Sequence, residues 1–185
     1  MTVRVMLISP AASTDLRAAR FGSDAPLSAA GLDRARSAAA RTPGADRVST
    51  APARRCAETA AALGLAADVD PALADLDTGT WRGRTLDELA ATDPAALGTW
   101  LADPDAAPHG GESLTDLTAR IGAWLTTRPP GRTLAVADPA VIRAALVHAL
   151  ALPPHAFWRL DVEPLTLTRL TGGAGRWNLA CGERL

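Results

Sequence analysis

The sequence predicts an α/β fold, a three-layer αβα sandwich around a mostly parallel central sheet. Three observations point to it. Short apolar runs alternate with helix-length amphipathic stretches along the chain. The first run, Val3 to Ile8, is partly β-branched and stops at Pro10 and small residues, as a buried strand does at a sheet's edge. With 185 residues, 48% of them hydrophobic, there is enough chain for one domain with a sizeable core, expected over residues 1–185.

In order, residues 13–31 are polar and punctuated by Gly and Pro, so they read as a loop. Ser28 is placed to N-cap a helix running to about Arg41, with Leu32, Ala35 and Ala39 on one face. A short strand is expected near Ala45 to Ser49. A helix then runs through Arg54, Thr59 and Leu63, stopped by Gly64. Ala67 to Asp70 reads as another strand and 73–85 as a Gly-containing loop. Residues 86–106 read as helix in pieces, broken at Pro94 and Pro104. After the turn His109 to Ser113, Leu114, Leu117, Ile121 and Leu125 form the apolar stripe of a helix ending near Thr127. Arg132 to Ala137 is a clear strand, followed by a helix from Val141 to Leu150. Pro164 to Thr171 alternates leucines with polar residues and reads as an edge strand, and Arg176 to Cys181 as a last strand.

Composition narrows the function. A net charge of −1 provides no pull on nucleic acid or an acidic membrane, so neither is expected as a partner. Every basic residue is Arg, and the absence of Lys removes Schiff-base and P-loop lysine chemistry. Cys56 and Cys181 are far apart and form no CxxC, so no disulfide framework, metal site or cofactor is expected, which fits a cytoplasmic setting. The apolar run at the N-terminus is too short for a signal peptide, and no stretch of 18 apolar residues occurs. Nothing speaks to oligomeric state.

The turn after the first strand is where an α/β sheet binds ligands. Here it is Ser9, Pro10, Ala11 and Ala12, with one hydroxyl and no ionisable group.

Five segments, in order over residues 3–150, resemble the histidine phosphatase superfamily, the phosphoglycerate-mutase-like group. VMLISPAAS resembles its opening strand and R-H-G-E-T turn. RFGSDAPLSAAG resembles G-x-x-D-x-P-L-T-x-x-G, and STAPARRCAETA resembles S-S-P-L-x-R-A-x-x-T-A. LADLDTGTWRG resembles L-x-E-x-x-x-G-x-W-E-G. GGES and LAVADPAVIRAAL resemble the closing G-G-E-S and V-S-H-G-G-V-I-R. The resemblance implies a histidine-phosphatase-like domain, and the departures bear on its chemistry. The phosphate-accepting histidine falls on Pro10, its neighbouring arginine on Ser9, and the second histidine on Asp138, followed by Pro139. The proton-donating acid falls on Asp75, while Arg55 keeps the position of a phosphate-gripping arginine.

These positions then hold one cation, Arg55, against two carboxylates, Asp75 and Asp138. Unit charges about 4 Å apart interact by roughly 4 kcal/mol at an effective dielectric of about 20, so a phosphate dianion near Asp138 would be repelled. The expectation is that phosphohistidine chemistry is lost and that a small molecule other than a phosphate occupies the vestigial pocket.

Asp75 and Asp138 are candidate catalytic groups, since paired carboxylates share a proton. The alternative is a structural salt bridge to Arg55. His109 is a candidate proton shuttle, or a surface loop histidine. Ser9, Ser13, Arg55, Trp81, Glu112 and Ser113 are candidate ligand contacts. Against this, Glu112 and Ser113 also suit a helix cap and Trp81 also suits simple packing. Cys56 reads as a small buried apolar residue. Three functions follow: a repurposed acid/base enzyme of lyase, isomerase or cyclase type, a catalytically inactive pseudophosphatase that binds a ligand or protein, and a residual phosphatase.

Overall fold

A computed structural model describes residues 2–15, 20–173 and 175–181. Part of the expected first loop, residues 16–19, lies outside the described residues. Six strands form one sheet: β1 (Val3–Ile8), β2 (Arg47–Thr50), β3 (Asp68–Val69), β4 (Gly131–Val136), β5 (Leu167–Gly173) and β6 (Arg176–Ala180). Their spatial order is β3-β2-β4-β1-β5-β6. The β3–β2, β2–β4 and β4–β1 pairings are parallel, and β5 and β6 add antiparallel.

β1 lies inside the sheet, with β4 on one side and β5 on the other, and Val3, Val5, Met6, Leu7 and Ile8 are all buried. This is the pattern of a strand covered on both faces. The expectation that residues 164–171 form an edge strand is corrected. β5 is interior, because the chain turns back after Gly173 and β6 takes the edge. One antiparallel neighbour is enough to satisfy the outer backbone groups of β5, so its alternating pattern did not distinguish edge from interior.

The helices are α1 (Ala29–Ala38), α2 (Arg54–Ala62), α3 (Leu86–Thr92), α4 (Pro94–Ala102), α5 (Leu114–Thr126) and α6 (Pro139–Ala149). They complete the layers of the sandwich. Ser28 caps α1, its hydroxyl accepting from the Gly31 N–H at 3.0 Å. The α5 stripe Leu114, Leu117, Ile121 and Leu125 is fully buried. Gly122 of α5 faces the His148 ring of α6, and a Cβ there would collide with it, so the small residue lets the two helices approach closely. The rare aromatics are concentrated rather than scattered: Trp100 meets Trp81, Phe21, His109 and Trp158 edge-on, and Trp81 packs edge-on against His109 and tilted against Phe21.

Candidate active site

Parallel strands deliver their following turns to one end of the sheet. The turn after β1, the start of α2 after β2 and the start of α6 after β4 therefore converge there. A cleft of about 240 Å³ opens at this end, lined by Pro10, Ser13, Arg55, Asp75, Pro139 and Val162 among others.

Arg55 organises the site. Its Nε donates to Asp138 Oδ1 at 2.5 Å and its Nη2 to Asp75 Oδ2 at 2.7 Å, while Nη1 donates to the Ser23 carbonyl. The three planar donors of one guanidinium thus hold two carboxylates and a loop. Burial works against the charge of Arg55, but Asp138 and Asp75 outweigh it and keep the group protonated.

The two carboxylates differ in access. The Asp75 side chain is 29% exposed and lines the cleft, whereas Asp138 is 0% exposed. Asp138 Oδ1 also accepts from Cys56 Sγ at 3.4 Å, and its Oδ2 is buried without a hydrogen-bond partner. Burial pushes the Asp138 carboxyl up to about 7, Asp75 adds to the rise and Arg55 opposes it. Burial likewise raises Asp75 against the pull of Arg55. Two acids around one cation leave an excess negative charge, which a single shared proton would cancel.

Four backbone positions beside the cleft offer no free donor. Pro10 and Pro139 have no N–H. The Ser9 N–H donates to the Thr166 carbonyl at 3.1 Å, and the Ala11 N–H to Thr59 Oγ1 at 3.0 Å.

Of the residues expected at the site, Ser13, Arg55 and Asp75 line the cleft, and the others are placed elsewhere. Asp138 is 0% exposed and sealed behind the wall, bonded to the cleft residue Arg55, so it does not itself line the cleft. Ser9 is turned away: its hydroxyl donates to the Glu163 carbonyl at 2.5 Å and accepts from the Thr166 N–H at 2.9 Å. It pins the 163–166 turn, where Leu165 has a positive φ of 58°. His109 is 1% exposed inside the aromatic cluster rather than on the cleft, with Nδ1 accepting from the Gly111 N–H at 3.0 Å. Desolvation lowers its pKa. Trp81 belongs to the same cluster and does not line the cleft.

Ser113 caps α5 in a reciprocal pair with Asp116. Glu112 forms a two-pronged ion pair with Arg120, at 2.8 Å on each side, beside a shallow depression on the far side of Asp75. The joint presence of the GTW and GGES segments has a packing cause. The Thr80 N–H donates to the His109 carbonyl at 2.9 Å, the Glu112 N–H donates to the Asp77 carbonyl at 2.8 Å, and a Cβ on Gly79 or Gly111 would strike the opposing backbone.

Asp15, Arg20, Ser23, Val162 and Pro164 also belong to the cleft and were missed by sequence reasoning. Ser23 lies inside the RFGSDAPLSAAG segment and was open to discovery there. Val162 and Pro164 carry no local signal. Among the described residues, no group of three or more His, Cys, Asp or Glu side chains is placed to hold a metal ion, and no helix is long and apolar enough to cross a membrane.

A convergence of turns at the carboxyl ends of parallel strands is where an open α/β sheet binds ligands, and here an arginine stands at its centre. The histidine phosphatase superfamily (branch 1) matches residues 12–182, and the chain belongs to that superfamily. Glucosyl-3-phosphoglycerate phosphatase of Mycobacterium tuberculosis is 33% identical over 120 residues, covering 57% of this chain and 54% of that protein. A bifunctional protein of the same species is 41% identical over 86 residues, covering 44% of this chain and 24% of that protein. The chain thus spans about a quarter to about half the length of the curated relatives it matches. A solved mycobacterial glucosyl-3-phosphoglycerate phosphatase superposes with a TM-score of 0.82 at 26% identity over 97% of each chain. A phosphoserine phosphatase mutant from Entamoeba histolytica, at 17% identity with a TM-score of 0.85 over 97% of this chain and 95% of its own, shares the fold.

Proposed function

We propose that this chain has lost phosphohistidine chemistry and acts as a repurposed acid/base enzyme on a small molecule other than a phosphate. The observation that carries the reading is the commitment of Arg55. Its fork, which would otherwise meet a phosphate, is occupied by Asp138, Asp75 and the Ser23 carbonyl. Prolines at 10 and 139 and the engaged N–H of Ala11 remove three backbone donors from the place a phosphate would take. Asp75, on the cleft, donates or accepts the proton. Asp138 acts through Arg55, its buried charge making a proton on the pair easier to hold near neutral pH.

Similarity to proteins named as phosphatases favours a second reading, residual phosphatase activity with Asp75 as the acid. A protein that binds without catalysis, a pseudophosphatase, is a third. Hydrolysis of an aryl phosphate and of glucosyl-3-phosphoglycerate, with trapping of any phosphoenzyme, separates these. The first reading expects neither turnover nor a phosphoenzyme, and either one would overturn it. Carbon-13 NMR titration of the Asp75 and Asp138 carboxyls separates the first from the third. One proton leaving the pair across neutral pH supports an acid/base pair, whereas two carboxyls that both ionise below pH 5 reduce it to a salt bridge.

A further inference from the structure

Resting on the reading of the cleft as unfit for phosphate, we propose that it takes a small organic cation, an alkylammonium or amidinium on an apolar body, with its charged end between Asp75 and Asp15. Three observations converge. Among the described residues, the charges lining the cleft are Asp15, Asp75, Arg20 and Arg55, with Asp138 behind the wall. Both cations are already engaged, Arg55 with two carboxylates and Arg20 with Glu88 at 3.6 Å and the Gly83 carbonyl at 2.8 Å. Among the described residues, what faces an incoming ligand is therefore net negative.

The second observation is a surplus of acceptors. Asp138 Oδ2 has no donor but lies behind the wall, so it adds negative charge to the cleft without touching a ligand. Asp75 and Asp15 each keep spare lone pairs after accepting from Arg55 Nη2 and Leu76 N–H, and from Ser23 Oγ at 2.9 Å, respectively. A ligand N–H can donate to those lone pairs on Asp75 and Asp15, and a ligand carboxylate or phosphate cannot. The third observation is shape. Pro10, Ala11, Pro139, Val162 and Pro164 give the cleft apolar walls, and its volume of about 240 Å³ is below the roughly 300–1,000 Å³ of sites for drug-sized ligands. The occupant is small, or is the end of something larger.

Cation binding then competes with the proton shared by the acid pair. The groups facing that pair are Arg55 and Cys56 of α2, Arg120 of α5, and Asp15 and Arg20 across the cleft. Affinity for a cation therefore rises from pH 5 to pH 8, and binding near pH 7 releases a fraction of a proton.

The test uses the full chain and four probes: benzylammonium, benzyl alcohol, benzoate and inorganic phosphate. Titration calorimetry is run in buffers of differing ionisation enthalpy. Benzylammonium is expected to bind about tenfold or more tightly than benzyl alcohol, with proton release, and the two anions not at all. Asp75→Asn is expected to cost about tenfold in benzylammonium affinity, and the rim variant Asp15→Asn, which leaves the buried network untouched, about threefold. If benzyl alcohol binds as well as benzylammonium, or benzylammonium does not bind, the cation inference falls and the proposed function stands. If inorganic phosphate binds more tightly than benzylammonium, both fall.

Discussion

Arg55 Nε donates to Asp138 Oδ1 at 2.5 Å although the two residues are 83 positions apart in the chain. The bond ties the start of α2 to the start of α6, so the contact that sets the charge of the cleft also helps hold together the two turns that form it. Stability and chemistry are linked through that contact.

Arg55→Met removes the cation and leaves two carboxylates facing each other. Breaking a buried ion pair on one side costs about 3–5 kcal/mol. The Arg55 side chain is 15% exposed, so the lower end of that range is expected near pH 8. The cost shrinks towards pH 5, where the acids take up protons. Urea unfolding at the two pH values measures it, and equal costs at both would show that the carboxylates are not the reason.

The Asp138 carboxyl titrates higher in the folded chain than its ordinary value of 3.8. Between those two values the folded state holds more protons than the unfolded one, so this group makes the protein less stable as pH rises from about 4 to about 7. The slope is at most one proton, about 1.4 kcal/mol per pH unit. Asp138→Asn removes it, so the variant gains on the parent as pH rises through that window. A difference in unfolding free energy that stays flat from pH 4 to 7 would contradict the assignment.

Ser9→Ala deletes a hydroxyl that donates to the Glu163 carbonyl and accepts from the Thr166 N–H. A loss of about 1–2 kcal/mol is expected. The distinctive readout is local: amide exchange should quicken over 163–166, the turn that carries Pro164 of the cleft wall, and remain unchanged in α5.

His109→Ala opens a cavity in the aromatic cluster and is expected to cost about 2–4 kcal/mol while leaving the cleft's ligand affinity alone. A change in affinity or in its pH profile, with stability preserved, would restore His109 as a working group.

The two thiols should differ sharply. Cys56 is buried, and desolvation with Asp138 alongside pushes its pKa well above the usual thiol range, whereas Cys181 is exposed. A thiol reagent should modify one cysteine in the native protein and both in denaturant.

Much of the fold is legible in the sequence because it depends on local chemistry. Ser28 and Ser113 cap their helices through residues three positions away, Pro94 starts a helix at its own position, and the α5 stripe follows the helical period. The site is legible only where a residue's neighbours also lie in one of the aligned segments, as for Arg55 with Asp75 and Asp138. His109, Trp81 and the GGES turn look like site residues in the sequence, but their partners are each other and the 77–81 loop.

The sequence alone determined the alternation of strands and helices, the capped helix starts and the mixture of one arginine with two acids, since each depends on residue type and short-range spacing. Only the tertiary structure decided which acid meets the cleft, that β5 is interior, and that Ser9, His109 and Glu112 face protein rather than ligand. Those are matters of burial and of contacts between distant parts of the chain. Side-chain direction at such contacts is set by what packs opposite, which no local pattern records.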